Sequence, residues 1–148
     1  MKKKALPPTY FMSSVAATIV LHFICPIHQL ITGYIRLLGI PLLGIGLWLN
    51  LWADQLFKKH STTVKPFEAS SHLILEGPFK FTRNPMYLGM IVALLGEAVI
   101  LGSVAAFVVP IAFYPVMNAV FIRREEDDML AVFGDEFRGY MGKVRRWI

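Results

Sequence analysis

Apolar residues fall into four blocks separated by polar segments, and each block is about long enough for a helix crossing a bilayer. Thr9 to Cys25 carries no charge and reads as the first span. Pro26 to Gly33 is a short polar connection. Tyr34 to Phe57 is the second span, with Arg36 at its outer end and Asp54 at its inner end. Lys58 to Arg83 is rich in Ser, Thr, Pro and charge, and is too long for a hairpin. Pro85 to Leu101 is the third span, Gly102-Ser103 a tight turn, and Val104 to Ile122 a charge-free fourth span that Pro110 and Pro115 are expected to kink. From Arg123 onward, apolar residues recur near helical period at Met129, Leu130, Phe133, Phe137, Tyr140, Met141 and Val144. Gly134 is expected to end one short helix and Asp135 to cap the next. This tail is expected to lie on the membrane surface, to fold back over the middle segment as a lid, or both.

Charge orients the blocks. Of the 15 Lys and Arg residues, all but Arg36 fall in the N-terminal stretch, the middle segment or the tail. With four spans these three segments share one side, and the positive-inside rule makes that side cytoplasmic. Three or five spans would split them. The expected fold is therefore an all-α integral membrane helical bundle. It has four transmembrane helices, N-in/C-in, plus cytoplasmic amphipathic C-terminal helices, in a single domain over 1–148. The net charge of +5 then reads as topology and contact with anionic lipid, not as nucleic-acid binding. A content of 55% hydrophobic and 17% charged residues is too apolar for a small soluble domain. Lys2-Lys3-Lys4 before an apolar run resembles a signal peptide, but no small-x-small site follows, so a retained helix is expected. One cysteine, Cys25, and four histidines without ligand spacing make a metal site unexpected.

Two features exceed what packing and topology need. The first is Arg83-Asn84-Pro85. Asn84 suits an N-cap and Pro85 the first helical position, so a helix starts here. Its positive end and Arg83 together favour an anionic group such as a carboxylate. The second is Glu125-Glu126-Asp127-Asp128, which follows the fourth span directly. The Gly102-Ser103 turn makes spans three and four an antiparallel pair, so these two ends should meet at one membrane surface. One half favours a carboxylate and the other an ammonium or hydroxyls, as in an amino-acid-like ligand. Simpler readings are a plain helix cap and a solvated charged turn. Gly89, Ala93 and Gly96 in the third span, and Gly39, Gly44 and Gly46 in the second, read as close helix packing. Glu97 is the one carboxylate well inside a span, which admits a small proton-coupled exporter as an alternative.

The stretch Leu73-Ile74-Leu75-Glu76-Gly77-Pro78-Phe79, continuing through Arg83-Asn84-Pro85-Met86-Tyr87-Leu88-Gly89, resembles a motif of the isoprenylcysteine carboxyl methyltransferase and phospholipid methyltransferase superfamily. So does Glu125-Glu126 followed by Met129, Phe133-Gly134, Phe137, Tyr140 and Arg146-Trp147. The resemblance covers the second half of the chain. It implies S-adenosylmethionine as cofactor, bound on the cytoplasmic side by His72, Leu73, Ile74, Gly77, Phe79, Asn84, Pro85, Tyr87, Glu125 and Glu126. Arg83 would hold the donor's carboxylate, the glutamates its amine or ribose hydroxyls, and aromatic faces its sulfonium. Arg83 and Glu125 are the expected catalytic residues. Asn84 stands where the eukaryotic isoprenylcysteine enzymes have histidine, and Phe79 and Phe137 stand where tyrosines are usual.

Methyl transfer is an in-line displacement helped mainly by positioning. A carboxylate or thiolate acceptor needs no base, whereas a protonated amine must first lose its proton. The acceptor is expected to be lipophilic, an isoprenylcysteine-like carboxylate or thiol or a phospholipid amine, and to enter from the bilayer between the spans. Arg123 and Arg124 could hold an anionic acceptor. Expected partners are membrane lipids and this acceptor, with no nucleic acid and no metal. The expected location is a bacterial or archaeal inner membrane. A non-catalytic scaffold of the same fold is a further alternative.

Overall fold

A computed structural model describes residues 6–25, 28–61 and 71–148. Lys2, Lys3, Lys4, Pro26 and Lys65, which entered the reading of topology, lie outside them. The described residues are almost wholly helical and form no extended strand, only an isolated bridge between Gln29 and Ser103. Five α-helices follow in order: α1 (Pro7–Ile24), α2 (Gly39–Lys59), α3 (Pro85–Leu101), α4 (Val104–Met117) and α5 (Arg123–Lys143). Short 3-10 turns precede α2 (Gly33–Leu38) and α3 (Gly77–Lys80).

Three stretches of the described residues are long and apolar enough to cross a membrane: Pro7–Ile24, Gly33–Lys59 and the run that begins at Val104. The apolar helix α3 has 17 residues, so it rises about 25 Å. It is the most enclosed of the four apolar helices, because α1, α2 and α4 all pack on it.

The α2–α3 seam shows why. A Cβ on Gly46 would stand 2.4 Å from the Ala93 backbone nitrogen, and one on Gly39 would stand 2.4 Å from the Gly96 carbonyl oxygen. The two backbones touch where glycine allows it, which is the expected role of Gly39, Gly46, Gly89 and Gly96. Gly44 differs: nothing lies within 4 Å of its Cβ position, so it faces outward. A stripe of small residues predicts contact only at the positions turned to the partner.

Helix α3 ends at Gly102, whose φ of +75° is the left-handed conformation glycine accepts without strain. Arg36 donates to the Leu101 carbonyl there and to Gln29 Oε1, 2.8 Å away. Ser103 then caps α4, its hydroxyl accepting from the Ala106 N–H at 3.4 Å. The turn makes α3 and α4 antiparallel, and α2 also runs antiparallel to α3. The starts of α1 and α3 therefore share one end of the bundle with the ends of α2 and α4.

Beyond Pro110 and Pro115, α4 does not stop. A π-helical turn, Asn118–Ile122, carries it into α5. Pro115 has no N–H to offer the preceding turn, and looser turns of this kind accompany such gaps. The tail folds back onto the middle segment rather than extending away. Leu73, Phe137 and Tyr140 form a buried cluster with Met129, Leu130, Phe133, Met141 and Val144 around it. Gly134 interrupts α5 with φ +52° and ψ −120°, at the break its sequence position suggested.

Candidate functional site

Asn84 and Pro85 begin α3 as their sequence predicts, but Asn84 makes no side-chain cap. Its amide instead donates to the Arg146 carbonyl at 3.1 Å, and its backbone N–H donates to Thr82 Oγ1 at 3.2 Å. The first N–H groups of a helix have no partner within it. With the cap diverted, the positive end of α3 stays open toward the adjoining space.

Arg83 is tied down. Its Nε donates to Glu126 Oε1 at 3.0 Å, and its Nη2 lies 2.9 Å from the same oxygen. Its Nη1 donates to the carbonyls of Val144 (2.6 Å) and Met141 (3.3 Å), and its backbone N–H donates to the Arg145 carbonyl at 3.0 Å. Arg146 closes the other side of Glu126, with Nε and Nη2 at 3.0 and 2.5 Å from Oε2. That contact raises the Arg146 pKa above its ordinary value. Glu126 is buried, and each of its oxygens faces a guanidinium. A charge so placed is compensated where it sits.

Glu125 is built differently. Its Oε1 accepts from the Tyr87 hydroxyl at 2.6 Å, and no guanidinium reaches it. Burial raises its pKa above the ordinary value, the Tyr87 hydrogen bond lowers it, and nearby Asp128 and Glu126 raise it further. It borders a cavity of about 190 Å³ at the shared end of the bundle. The cavity wall comes from Leu6, Pro7 and Pro8 at the start of α1, Phe57 near the end of α2, and Phe79. Arg83, Asn84, Pro85, Met86, Tyr87 and Met90 complete it around the start of α3.

The cavity thus gathers Phe79, Arg83, Asn84, Pro85, Tyr87 and Glu125 from the residues singled out in the sequence. The others lie around it. Leu73 packs on Phe137 and Tyr140, and Ile74 packs with Ala53, Leu56 and Phe79. Gly77 sits at φ +61° beneath α2, where a Cβ would meet Leu56 Cδ1 at 2.8 Å. His72 is exposed and stacks on His60, their ring centroids 4.6 Å apart. Arg123 and Arg124 are exposed on α5.

Sequence reasoning missed Tyr140, whose hydroxyl donates to the Phe79 carbonyl at 2.6 Å. It also missed the pairing of Arg146 with Glu126. A basic residue near an acidic run was visible, but the fold-back that joins them was only one of two alternatives. Among the described residues no group of histidine, cysteine and carboxylates could hold a metal ion.

Comparison with known proteins bears on this site. A 63-residue stretch is 43% identical to the whole of an uncharacterized protein of Haemophilus influenzae, covering 43% of this chain. A 66-residue stretch is 36% identical to methanethiol S-methyltransferase 1 of Bradyrhizobium diazoefficiens, covering 45% of this chain but 22% of that protein. Residues 34–136 match the model of the phospholipid methyltransferase family. That match takes in the α2–α3 seam, the open start of α3 and both glutamates. The chain belongs to the phospholipid methyltransferase family, a group of methyltransferases, and carries its match on membrane-type helices.

Proposed function

We propose that this protein is an integral membrane, S-adenosylmethionine-dependent methyltransferase acting on a lipophilic acceptor. In this reading the one domain spans the membrane four times, N-in/C-in, in a bacterial or archaeal inner membrane. Its site faces the cytoplasm, where Lys58, Lys59, Arg123 and Arg124 gather at the same end of the bundle. The observation that carries the reading is one cavity bordered by the open start of α3, by Arg83 and by Glu125.

The residues present suit the donor. The α3 start and the field of Arg83 favour its carboxylate. Glu125 balances positive charge, and Phe57, Phe79 and Tyr87 offer aromatic faces to a sulfonium. At about 190 Å³ the cavity takes one end of such a molecule, being smaller than the roughly 300–1,000 Å³ of sites that enclose a whole ligand. Bound there, S-adenosylmethionine supplies an electrophilic methyl group.

The chain's own residues then orient and exclude water. Pro7, Pro8, Met86 and Met90 give the cavity an apolar wall, and in this reading a lipophilic acceptor reaches the site from the bilayer between the helices. Glu126 keeps Arg83 and Arg146 in place. Ile74 supports the wall from behind through Phe79. His72, Leu73 and Gly77 belong to the segment that leads into it, and Arg123 and Arg124 meet an anionic headgroup at the surface.

Calorimetry of the purified protein with S-adenosylmethionine, followed by labelled-methyl transfer to total membrane lipids, tests the proposal. Binding to the wild type and its loss in Arg83→Ala and Glu125→Ala are the expected results. A wild type that binds no donor would end the methyltransferase reading.

A further inference from the structure

Phe121, in the π-helical turn, is the largest fully buried side chain among the described residues. Its ring pairs with two tyrosines from different helices. Tyr10 of α1 meets it edge-on, with centroids 5.4 Å apart and planes at 83°. Tyr87 of α3 stacks on it at 6.3 Å and 28°. Both separations fall in the roughly 4.5–7 Å range of favourable aromatic pairs. Tyr10 lies two residues beyond Pro8, and Pro8 and Tyr87 both line the cavity. Glu125 follows Phe121 by four residues, about one turn further along the same continuous helix. The Tyr87 hydroxyl joins the two by donating to Glu125 Oε1 at 2.6 Å. One ring thus supports both ends of a hydrogen bond at the cavity: the donor's ring stacks on it, and the acceptor stands one turn along from it.

We propose that Phe121 is a positioning residue of the donor site: its ring sets the tilt of Tyr87, and through the Tyr87 hydroxyl it aims the Glu125 carboxylate into the cavity. This rests on the methyltransferase reading, in which Glu125 balances the donor's positive charge. Packing alone asks only for apolar volume at position 121, which methionine nearly supplies. Aiming asks for a flat, rigid face. The hydroxyl stands at the far tip of the Tyr87 ring, so a tilt moves it further than any other atom of that side chain. A hydrogen bond weakens steeply as it leaves its preferred length and direction.

The described groups that titrate or carry charge around Glu125 are Tyr87 on α3, Arg83 at the cavity, and Glu126 and Asp128 on its own helix. Burial raises the Glu125 pKa, the Tyr87 hydrogen bond lowers it, and Asp128 and Glu126 raise it further. Loss of the Tyr87 bond alone therefore moves it up, because that bond favours the charged form. A change at position 121 that acts through Tyr87 carries this signature, and a change that only loosens the core does not.

The test uses full-length protein in lipid nanodiscs, as wild type, Phe121→Met, Tyr87→Phe and the double variant. Affinity for S-adenosylmethionine is measured by calorimetry across the pH range in which it falls as Glu125 takes up its proton. The midpoint of that fall should lie about one pH unit higher in Phe121→Met, tenfold in the ionisation constant. Well above the midpoint this variant should bind donor within a few fold of wild type. Tyr87→Phe should shift the midpoint in the same sense by at least as much. The double variant should shift it no further than Tyr87→Phe alone, since the hydroxyl through which Phe121 acts is already gone. Tyr10→Leu removes the edge-on partner of the same ring and is a milder second probe, with a smaller shift of the same sign. Weakening by one factor at every pH in Phe121→Met and Tyr10→Leu would reduce Phe121 to packing and overturn the proposal. So would a midpoint unmoved by Tyr87→Phe, or shifts that simply add in the double variant. These results in a wild type that binds donor count against the Phe121 assignment alone, whereas a wild type that binds none takes the methyltransferase reading and this proposal together.

Discussion

Glu126 and Glu125 are consecutive residues, yet one closes a structure and the other opens onto a cavity. Around Glu126, two arginines and three carbonyls of the C-terminal tail converge on one spot. The chain there is stitched across more than 40 positions, from Arg83 to Arg146. Around Glu125 there is one hydroxyl, a partly apolar wall and space. The contrast teaches that an acidic pair in a motif need not share a task. A carboxylate between two guanidiniums serves assembly. A carboxylate with one neutral partner beside a cavity keeps its capacity to attract a cation or accept a proton.

The comparison breaks most visibly if the Glu126 side is cut. Arg83→Ala leaves a carboxylate in a site where both pair partners have side chains about 10% exposed. Breaking such a pair costs about 3–5 kcal/mol. Thermal unfolding in detergent should fall accordingly, and limited proteolysis should cut the freed tail beyond Gly134. A tail that stays protected would mean that the hydrophobic cluster and the Arg146–Glu126 pair dock it without Arg83.

A second change reaches the cavity without touching the stitch. Gly46→Val places methyl groups where the Ala93 backbone nitrogen already stands 2.4 Å from a Cβ position. Overpacking of this kind costs about 1–3 kcal/mol. It should displace α2 and with it the Phe57 wall, weakening donor binding while leaving the tail's proteolytic pattern unchanged. Unaltered calorimetry would show that α2 does not shape the site.

Tyr140→Phe removes one hydrogen bond, to the Phe79 carbonyl, and keeps the ring in its cluster. About 1 kcal/mol of stability should go with it. Phe79 belongs to both sides of the comparison, so a small change in donor affinity should accompany the loss.

The smallest effect on stability is expected at Glu125, and its sign is the sharpest test. The folded-state pKa of this group lies above its ordinary 4.5. Its contribution to stability is therefore fully present below about pH 4.5 and is lost as pH rises through the folded value. Glu125→Gln and wild type should unfold alike in acid. Above that, the variant should be the more stable of the two, by a margin that grows and then levels off. Glu126→Gln should instead destabilise at neutral pH. Matching curves for the two variants would erase the distinction.

Much of this frame was legible along the chain. Asn84-Pro85, Gly102-Ser103 and Gly134 each mark a real boundary, because local stereochemistry alone decides them. Arg83 and Glu126 meet because one tight turn makes two helices antiparallel, which is also local information. What could not be read depends on distant parts of the chain. Asn84 gives its amide to a carbonyl 62 residues away instead of capping its own helix. Leu73 and Ile74, chosen by resemblance, take their places from packing against α5 and α2. Gly44 and Gly46 look alike in a stripe of small residues, and only the pairing of α2 with α3 separates them. No pattern of residue types states which of two neighbouring acids turns toward which arginine.

That last choice is made upstream. The π-helical turn at Asn118–Ile122 holds roughly one residue more than an α-helix of the same rise, and one residue of an α-helix is about 100° of rotation. The turn therefore acts as a phase shifter between the membrane part of the helix and its charged continuation. In an unbroken α-helix of this sequence, the face now presented by Glu126 would swing away from Arg83, and its neighbour's aim would move with it. The division of labour between the two acids is then written as an angle, set by five apolar and amide residues of which Asn118 is bonded to the charged cluster, its Oδ1 accepting from Arg146 Nη1 at 3.5 Å.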